Sequence, residues 1–161
     1  MPILNVQLEA QGQAPDGSTI QIPAPQVLLA RGPVVQVALS LAQALGAQIV
    51  QRGGTLPPPQ AGWALIDTGA SATCIDDAIA QQMQLPVIDV VQVASASHAA
   101  TQQNVYPAHL EVLGANVQIE VSRAIGAALA SQGIIALICR DVLRQCTLHY
   151  NGPVGSFTLS I

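Results

Sequence analysis

The stretch ALIDTGAS, residues 64–71, carries a single carboxylate out of an apolar run and into a tight turn. The apolar residues before Asp67 favour a buried strand. Gly69 permits a turn geometry or a close backbone approach that a β-carbon would block, and Thr68 offers a short hydroxyl for a hydrogen bond to a second chain. A carboxylate held in this way suits general acid–base catalysis, so Asp67 is the candidate catalytic residue.

The size and composition of the chain indicate one domain that needs a partner. Its 161 residues fit a single domain, residues 1–161. An enzyme that needs two catalytic carboxylates, one as acid and one as base, finds only one Asp-Thr-Gly in this chain. Half of the residues are hydrophobic and only 9% are charged, so some apolar surface is expected to close against another subunit. The net charge of −4, with five Lys plus Arg, argues against nucleic acid as a partner. The sequence predicts a homodimer.

Cysteine usage and the N-terminal residues predict a cytoplasmic protein. Three cysteines, Cys74, Cys139 and Cys146, form no CxxC pair and make neither a disulfide framework nor a zinc site. The first ten residues lack the pattern of a signal peptide. The longest uncharged stretch, residues 32–51, contains several glutamines and alternates in its first half, which argues against a membrane span.

The hydrophobic pattern predicts a chain of strands with little helix. Alternating or fully apolar runs bounded by Gly and Pro predict strands at 3–9, 19–22, 34–41, 64–66, 87–94, 106–113, 117–121 and 134–138, with two more in 147–161. A short helix is expected to start at Asp76 and Asp77, both as solvated charges, and a helical turn or two is expected in 140–146. Residues 95–104 are polar or small and predict the tip of a hairpin.

With these elements placed, residues 34–161 resemble the retropepsin-like aspartic peptidases, the family of the retroviral proteases and their cellular and bacterial relatives. The resemblance rests on a first strand PVVQVALSL, the turn ALIDTGAS, the hairpin VQVASASHAATQQNVYPAHLEV and the block GIIALICRDVLRQCTLHYNGPVGSFTL. That block matches the family pattern of apolar residues, Gly, Arg, and Asp or Asn, followed by a short helix and a terminal strand. Cys139 stands where the family has Gly.

The resemblance implies an all-β fold: a closed β-barrel half with one or two short helices, assembling as a twofold homodimer. Residues 1–33 are expected to form an N-terminal arm or an extra hairpin. The terminal strand, residues 156–161, is expected to join the dimer interface, because it would otherwise be an exposed edge.

The resemblance also implies an aspartic endopeptidase that cleaves peptide or protein substrates without metal or cofactor. Asp67 would be catalytic, supported by Thr68, Gly69 and Ala70, and Arg140 and Asp141 would form a structural anchor beneath the site. Because Ala70 cannot donate a hydrogen bond to the carboxylates, activity is expected at weakly acidic pH, about 5 to 6.

The hairpin would act as a flap over the substrate. Its candidate substrate-binding residues are Ser95, Ala96, Ser97 and His98. The three histidines, His98, His109 and His149, have no metal-ligand spacing.

Two other functions are compatible with the sequence. Cys139 and the glycine-free hairpin tip favour a peptide-binding or dimerisation module that kept the retropepsin fold with weak or no catalysis. A structural β-domain without any site is the other alternative.

Overall fold

The chain folds mainly into β-strands joined by short helices. The computed structural model describes residues 2–95 and 98–161, with side chains for all of these except 95, 98 and 99. The strands are β1 (Ile3–Gln7), β2 (Ala10–Gln13), β3 (Thr19–Ile22), β4 (Val34–Leu41), β5 (Gln60–Ile66), β6 (Cys74–Asp76), β7 (Asp89–Ser95), β8 (His98–Val112), β9 (Val117–Ala127), β10 (Ala136–Ile138), β11 (Thr147–Asn151) and β12 (Ser156–Ser160). The helices are α1 (Ala24–Arg31), α2 (Gln43–Gln51), α3 (Asp77–Gln82) and α4 (Arg140–Leu143), with a 3-10 turn at Ala130–Gln132.

Six of the strands close into a barrel. Their order is β4-β5-β10-β6-β9-β8, and β8 pairs antiparallel with β4 to complete the circle. The expected all-β barrel is therefore confirmed. Among the described residues, β7 pairs only with β8, so the two form a hairpin that extends from the barrel.

The barrel interior is filled by the apolar residues that alternate along its strands. Val37 and Leu39 of β4 are fully buried and face Val112 and Leu110 of β8 across the antiparallel pair. Each such side chain contributes on the order of 1.5–3 kcal/mol when it is removed from water. The alternation seen in the sequence therefore fixes which face of each strand points inward.

A second sheet lies outside the barrel and joins the two ends of the chain. Strand β12 is its central strand, paired antiparallel with β1 on one side and β11 on the other. Phe157 and Leu159 of β12 are buried. Residues 156–161 were expected in the dimer interface because they would otherwise form an exposed edge; that reason was wrong, since β1 and β11 cover both edges of β12 within the same chain. Their part in a dimer interface stays a prediction.

The structure has more helix than the sequence predicted. Helix α1 lies in the segment expected to be an arm or hairpin, although β2 and β3 do form an extra hairpin before it. Neither α1 nor α2 has a side-chain N-cap, so the usual sequence signal for a helix start is missing. Burial of Val27 and Leu28 stabilises α1 in place of a cap.

The β7–β8 hairpin is longer than expected. Strand β8 begins at His98, and its first residues pair with β7 in a ladder that includes Val93 opposite Thr101. Among the described residues of the expected loop, His98 and residues 101–104 therefore extend the strand, because each has a cross-strand partner in β7. The turn at Ala96 and Ser97 lies outside the described residues.

No helix of the described residues is long and apolar enough to cross a membrane. Residues 32–51 divide between β4 and the nine-residue helix α2.

Candidate active site

Strand β5 places Asp67 on the outer surface of the barrel. Ala64 and Ile66 point into the core, whereas Leu65 and the half-buried Asp67 alternate with them on the outer face. Strand β10 runs parallel to β5, and the Asp67 amide donates to the Ile138 carbonyl at 2.9 Å. The carboxylate is thus displayed from a backbone that the barrel holds on both sides.

The turn after Asp67 orients its carboxylate. The Gly69 amide donates to Asp67 Oδ1 at 2.7 Å, and a β-carbon at Gly69 would lie 3.0 Å from that oxygen. Asp67 Oδ2 and the exposed Thr68 hydroxyl have no hydrogen-bond partner among the described residues of the single chain. One carboxylate oxygen is therefore held while the other faces outward.

A cluster of Thr73, Cys139 and Asp141, here called the support cluster, lies beneath this turn. Asp141 accepts hydrogen bonds from the Thr73 amide at 2.9 Å and the Thr73 hydroxyl at 2.7 Å. The Thr73 oxygen in turn accepts from the Cys139 amide at 3.1 Å. Thr73 is fully buried. Sequence reasoning identified Asp141 but missed Thr73, whose only signal was its position six residues after Asp67.

Arg140 and Asp141 contact the turn separately. The Arg140 amide and its Nε both donate to the Ala70 carbonyl at 3.2 Å, and the Asp141 amide donates to the Ser71 carbonyl at the same distance. Within the described part of the chain, no salt bridge joins Arg140 to Asp141. Their neighbouring positions therefore tie α4 to the turn after Asp67 at two consecutive points.

Cys139 fits its position without backbone strain. Its φ of −108° and ψ of −173° are open to any residue, and its side chain is fully buried. The neighbouring Cys74 thiol, followed by burial, raises the pKa of Cys139, while the interaction between the two thiols lowers the pKa of Cys74. Cys139 is therefore a buried thiol within the support cluster, and it donates to the Leu137 carbonyl at 3.6 Å.

The expectation that Asp76 is a solvated charge was wrong. Asp76 is only 2% exposed and caps α3 by accepting from the Ile79 amide. Its other oxygen accepts from the amides of Leu129 and Ala130, each at 2.9 Å. Three backbone donors compensate the burial of this carboxylate.

Asp77 anchors the base of the β7–β8 hairpin. Its Oδ1 accepts from the Tyr106 hydroxyl at 2.7 Å and from the Asn104 side chain at 3.1 Å, and its Oδ2 accepts from Gln81. Burial and the hydrogen bond to Asp77 raise the pKa of the Tyr106 hydroxyl. This anchor was also missed, because a partner 29 positions away leaves no local pattern.

The candidate substrate-binding residues of the hairpin cannot be placed as side chains. Ala96 and Ser97 lie outside the described residues, and only the backbones of Ser95 and His98 are described, paired across the hairpin. Their contact with substrate stays a prediction.

A cleft of about 390 Å³ opens beside the strand that carries Asp67. Leu65 lines it from the outer face of β5, and we call it the Leu65 cleft. Arg31, Gly32, Gln132, Gly133 and Ile134 are also among its walls. Asp67 does not line this cleft, but it lies two positions after Leu65 on the same face of β5.

The described residues hold no cluster of His, Cys, Asp or Glu able to bind a metal ion. His109 is buried in β8 and pairs through Nδ1 with Glu120 at 2.7 Å. His149 lies on β11.

Comparison of the sequence with models of known protein families gave no match, and comparison with curated proteins gave no match either. The functional argument therefore depends on the residues and geometry of this chain.

Proposed function

We propose that this protein is a retropepsin-like aspartic endopeptidase that works as a twofold homodimer, with one Asp67 from each chain. The observation that carries the proposal is the display of Asp67. One of its oxygens is fixed by the Gly69 amide, and the other faces outward from a rigid strand without a partner in the described part of its own chain. This is half of a carboxylate pair.

A second copy would complete the chemistry. Two carboxylates about 3 Å apart cannot both ionise, so they share one proton, as in aspartic peptidases generally. The charged member then removes a proton from a water molecule as that water attacks the scissile carbonyl. The protonated member donates a hydrogen bond to the carbonyl oxygen and stabilises its developing charge.

The surroundings of Asp67 suit this role. The support cluster and Arg140 hold the catalytic turn, so the two carboxylates would meet with little freedom to separate. The exposed Thr68 hydroxyl is available for a hydrogen bond across the axis. The β7–β8 hairpin, anchored through Asp77, would cover an extended peptide and pair with its backbone.

The test is cleavage of an unfolded protein substrate at pH 5 to 6, roughly, by the purified chain and by Asp67→Asn. We expect Asp67→Asn to abolish turnover with unchanged circular dichroism and unchanged thermal unfolding. Pepstatin-type inhibitors should block the wild-type activity, and sedimentation should show a dimer at tens of micromolar, roughly, as expected for a shared site. Cleavage that survives Asp67→Asn would show that another residue is responsible.

One observation favours the alternative of a peptide-binding module with weak or no catalysis. The buried Cys139 thiol occupies the position that is Gly in the family, directly below the turn. The alternative predicts that Cys139→Gly gains turnover that the wild type lacks. Cys139→Ala is the matched control, because it removes the sulfur and keeps a β-carbon.

A further inference from the structure

The Leu65 cleft contains a single charged residue, Arg31. Its other walls are apolar, glycine or the neutral Gln132. Arg31 is the last residue of α1 and is exposed. The charge of this cleft is therefore positive, although the whole chain carries a net charge of −4.

The guanidinium of Arg31 is held in place by Trp63. It stacks over the indole ring at 4.7 Å from the ring centroid. Trp63 shares the outer face of β5 with Leu65 and Asp67, because residues at alternate positions of a strand lie on one face. Arg31 is thus fixed along the line of residues that leads to the catalytic carboxylate.

A stacked guanidinium keeps its in-plane N–H donors free. These donors form a planar fork that matches both oxygens of a carboxylate. Among the described residues, no carboxylate lies within salt-bridge distance of Arg31. The residue is therefore ordered but retains its capacity to bind an anion.

We propose that Arg31 makes the Leu65 cleft a subsite for an acidic substrate side chain, Glu or Asp, so that the enzyme prefers peptides acidic on one side of the cleaved bond. The inference rests on the proposed function, since it assigns the substrate class of that site. Trp63 lies four residues from Asp67, about 13 Å along an extended strand. The acidic side chain therefore belongs about two to four positions from the cleaved bond, because an extended peptide has the same rise.

Glu9 is the residue most able to compete with a substrate carboxylate. It lines a neighbouring cavity of about 410 Å³ together with Arg31 and Trp63. Glu9→Gln removes that competitor without touching the Leu65 cleft, so it is the matched control for a change of charge near Arg31.

The experiment uses fluorescein-labelled octapeptides with Phe-Leu at the centre and alanine elsewhere, in which one flanking position at a time is Glu or Gln. Binding is measured by fluorescence anisotropy on Asp67→Asn, alone and combined with Arg31→Gln or Glu9→Gln. Cleavage is measured on three proteins that keep Asp67: the wild type, Arg31→Gln and Glu9→Gln. We expect Glu to be favoured over Gln by about tenfold at one position. Arg31→Gln should abolish this preference and Glu9→Gln should keep it. Thermal unfolding checks that the variants are folded.

Acidification gives a second test of the charge. The preference should disappear below about pH 4, where the substrate Glu is protonated. Equal binding of Glu and Gln peptides, a preference that survives Arg31→Gln, or no binding of any peptide would overturn the proposal. An Arg31-dependent preference in binding without any cleavage would support the acidic subsite and count against the peptidase itself.

Discussion

The support cluster and the β7–β8 hairpin are stabilised in different ways. The support cluster joins residues 68 positions apart through buried hydrogen bonds that converge on Asp141. The hairpin joins neighbouring residues, and most of β7 is exposed with one edge unpaired in the described structure. The turn that carries Asp67 is therefore held by contacts across the chain, whereas the hairpin depends mainly on local pairing. This difference suits the roles we propose for them, a fixed carboxylate and a substrate cover that opens.

The largest effect is expected from removal of the shared acceptor in the support cluster. Asp141→Ala leaves the Thr73 amide and the Thr73 hydroxyl without their acceptor, and the Val142 amide keeps only the Cys139 carbonyl. We expect the free energy of unfolding to fall by about 3 kcal/mol. Urea denaturation measures the loss.

Asp141→Asn is the control for that variant. It keeps one acceptor oxygen and a similar shape, so about half of the loss is expected. If Asp141→Ala and the wild type have the same midpoint of urea unfolding, the support cluster does not hold the turn after Asp67.

A smaller and more local effect is expected at the base of the hairpin. Tyr106→Phe removes the hydroxyl that donates to Asp77. The Asp77 carboxylate then keeps two side-chain donors, Asn104 and Gln81. We expect a loss of about 1 kcal/mol and faster amide exchange in residues 89–95. Tyr150→Phe is the matched control, since Tyr150 is 48% exposed on β11. Exchange that rises evenly over the whole barrel would contradict a local anchor.

The smallest effect concerns pH and the start of β7. The hydrogen bond from Arg123, followed by that from the Val90 amide, lowers the pKa of Asp89. A lowered carboxyl pKa contributes stability above its unfolded value, about 3.9, and this contribution is lost as pH falls through the folded value. Amide protection in β7 should therefore decrease below about pH 4.

Arg123→Gln should reduce that pH dependence. Arg144→Gln, which alters the exposed arginine directly after α4, should leave it unchanged. Both residues are exposed and screened by solvent, so the change is expected to be small. An identical pH dependence in wild type and Arg123→Gln would remove Asp89 as its source.

The sequence predicted what depends on local pattern. The hydrophobic pattern located β4 and residues 117–121 of β9, and the apolar run before Asp67 located β5, at whose end the carboxylate lies. Helices α1 and α2 were not predicted from the sequence, because neither begins with a capping side chain.

The missed parts of the candidate site depend on contacts across long sequence separations. The hydroxyl of Thr73 donates to Asp141. Asp76 accepts from the Leu129 amide, and Asp77 accepts from the Tyr106 hydroxyl. Nothing in a short window distinguishes such a buried acceptor from a solvated turn residue. Asp76 and Asp77 illustrate this, since adjacent carboxylates serve two different parts of the barrel.

The pairing of β1 with β12 also makes the assembly of the outer sheet depend on the order of synthesis. Residues 3–7 pair with residues 156–160, so β1 is synthesised well before the strand that pairs with it. All six barrel strands precede β12 in the chain and can close while β1 is still single. The outer sheet is therefore expected to assemble after the barrel, and until residues 156–160 are synthesised β1 stays an exposed strand open to pairing with other chains.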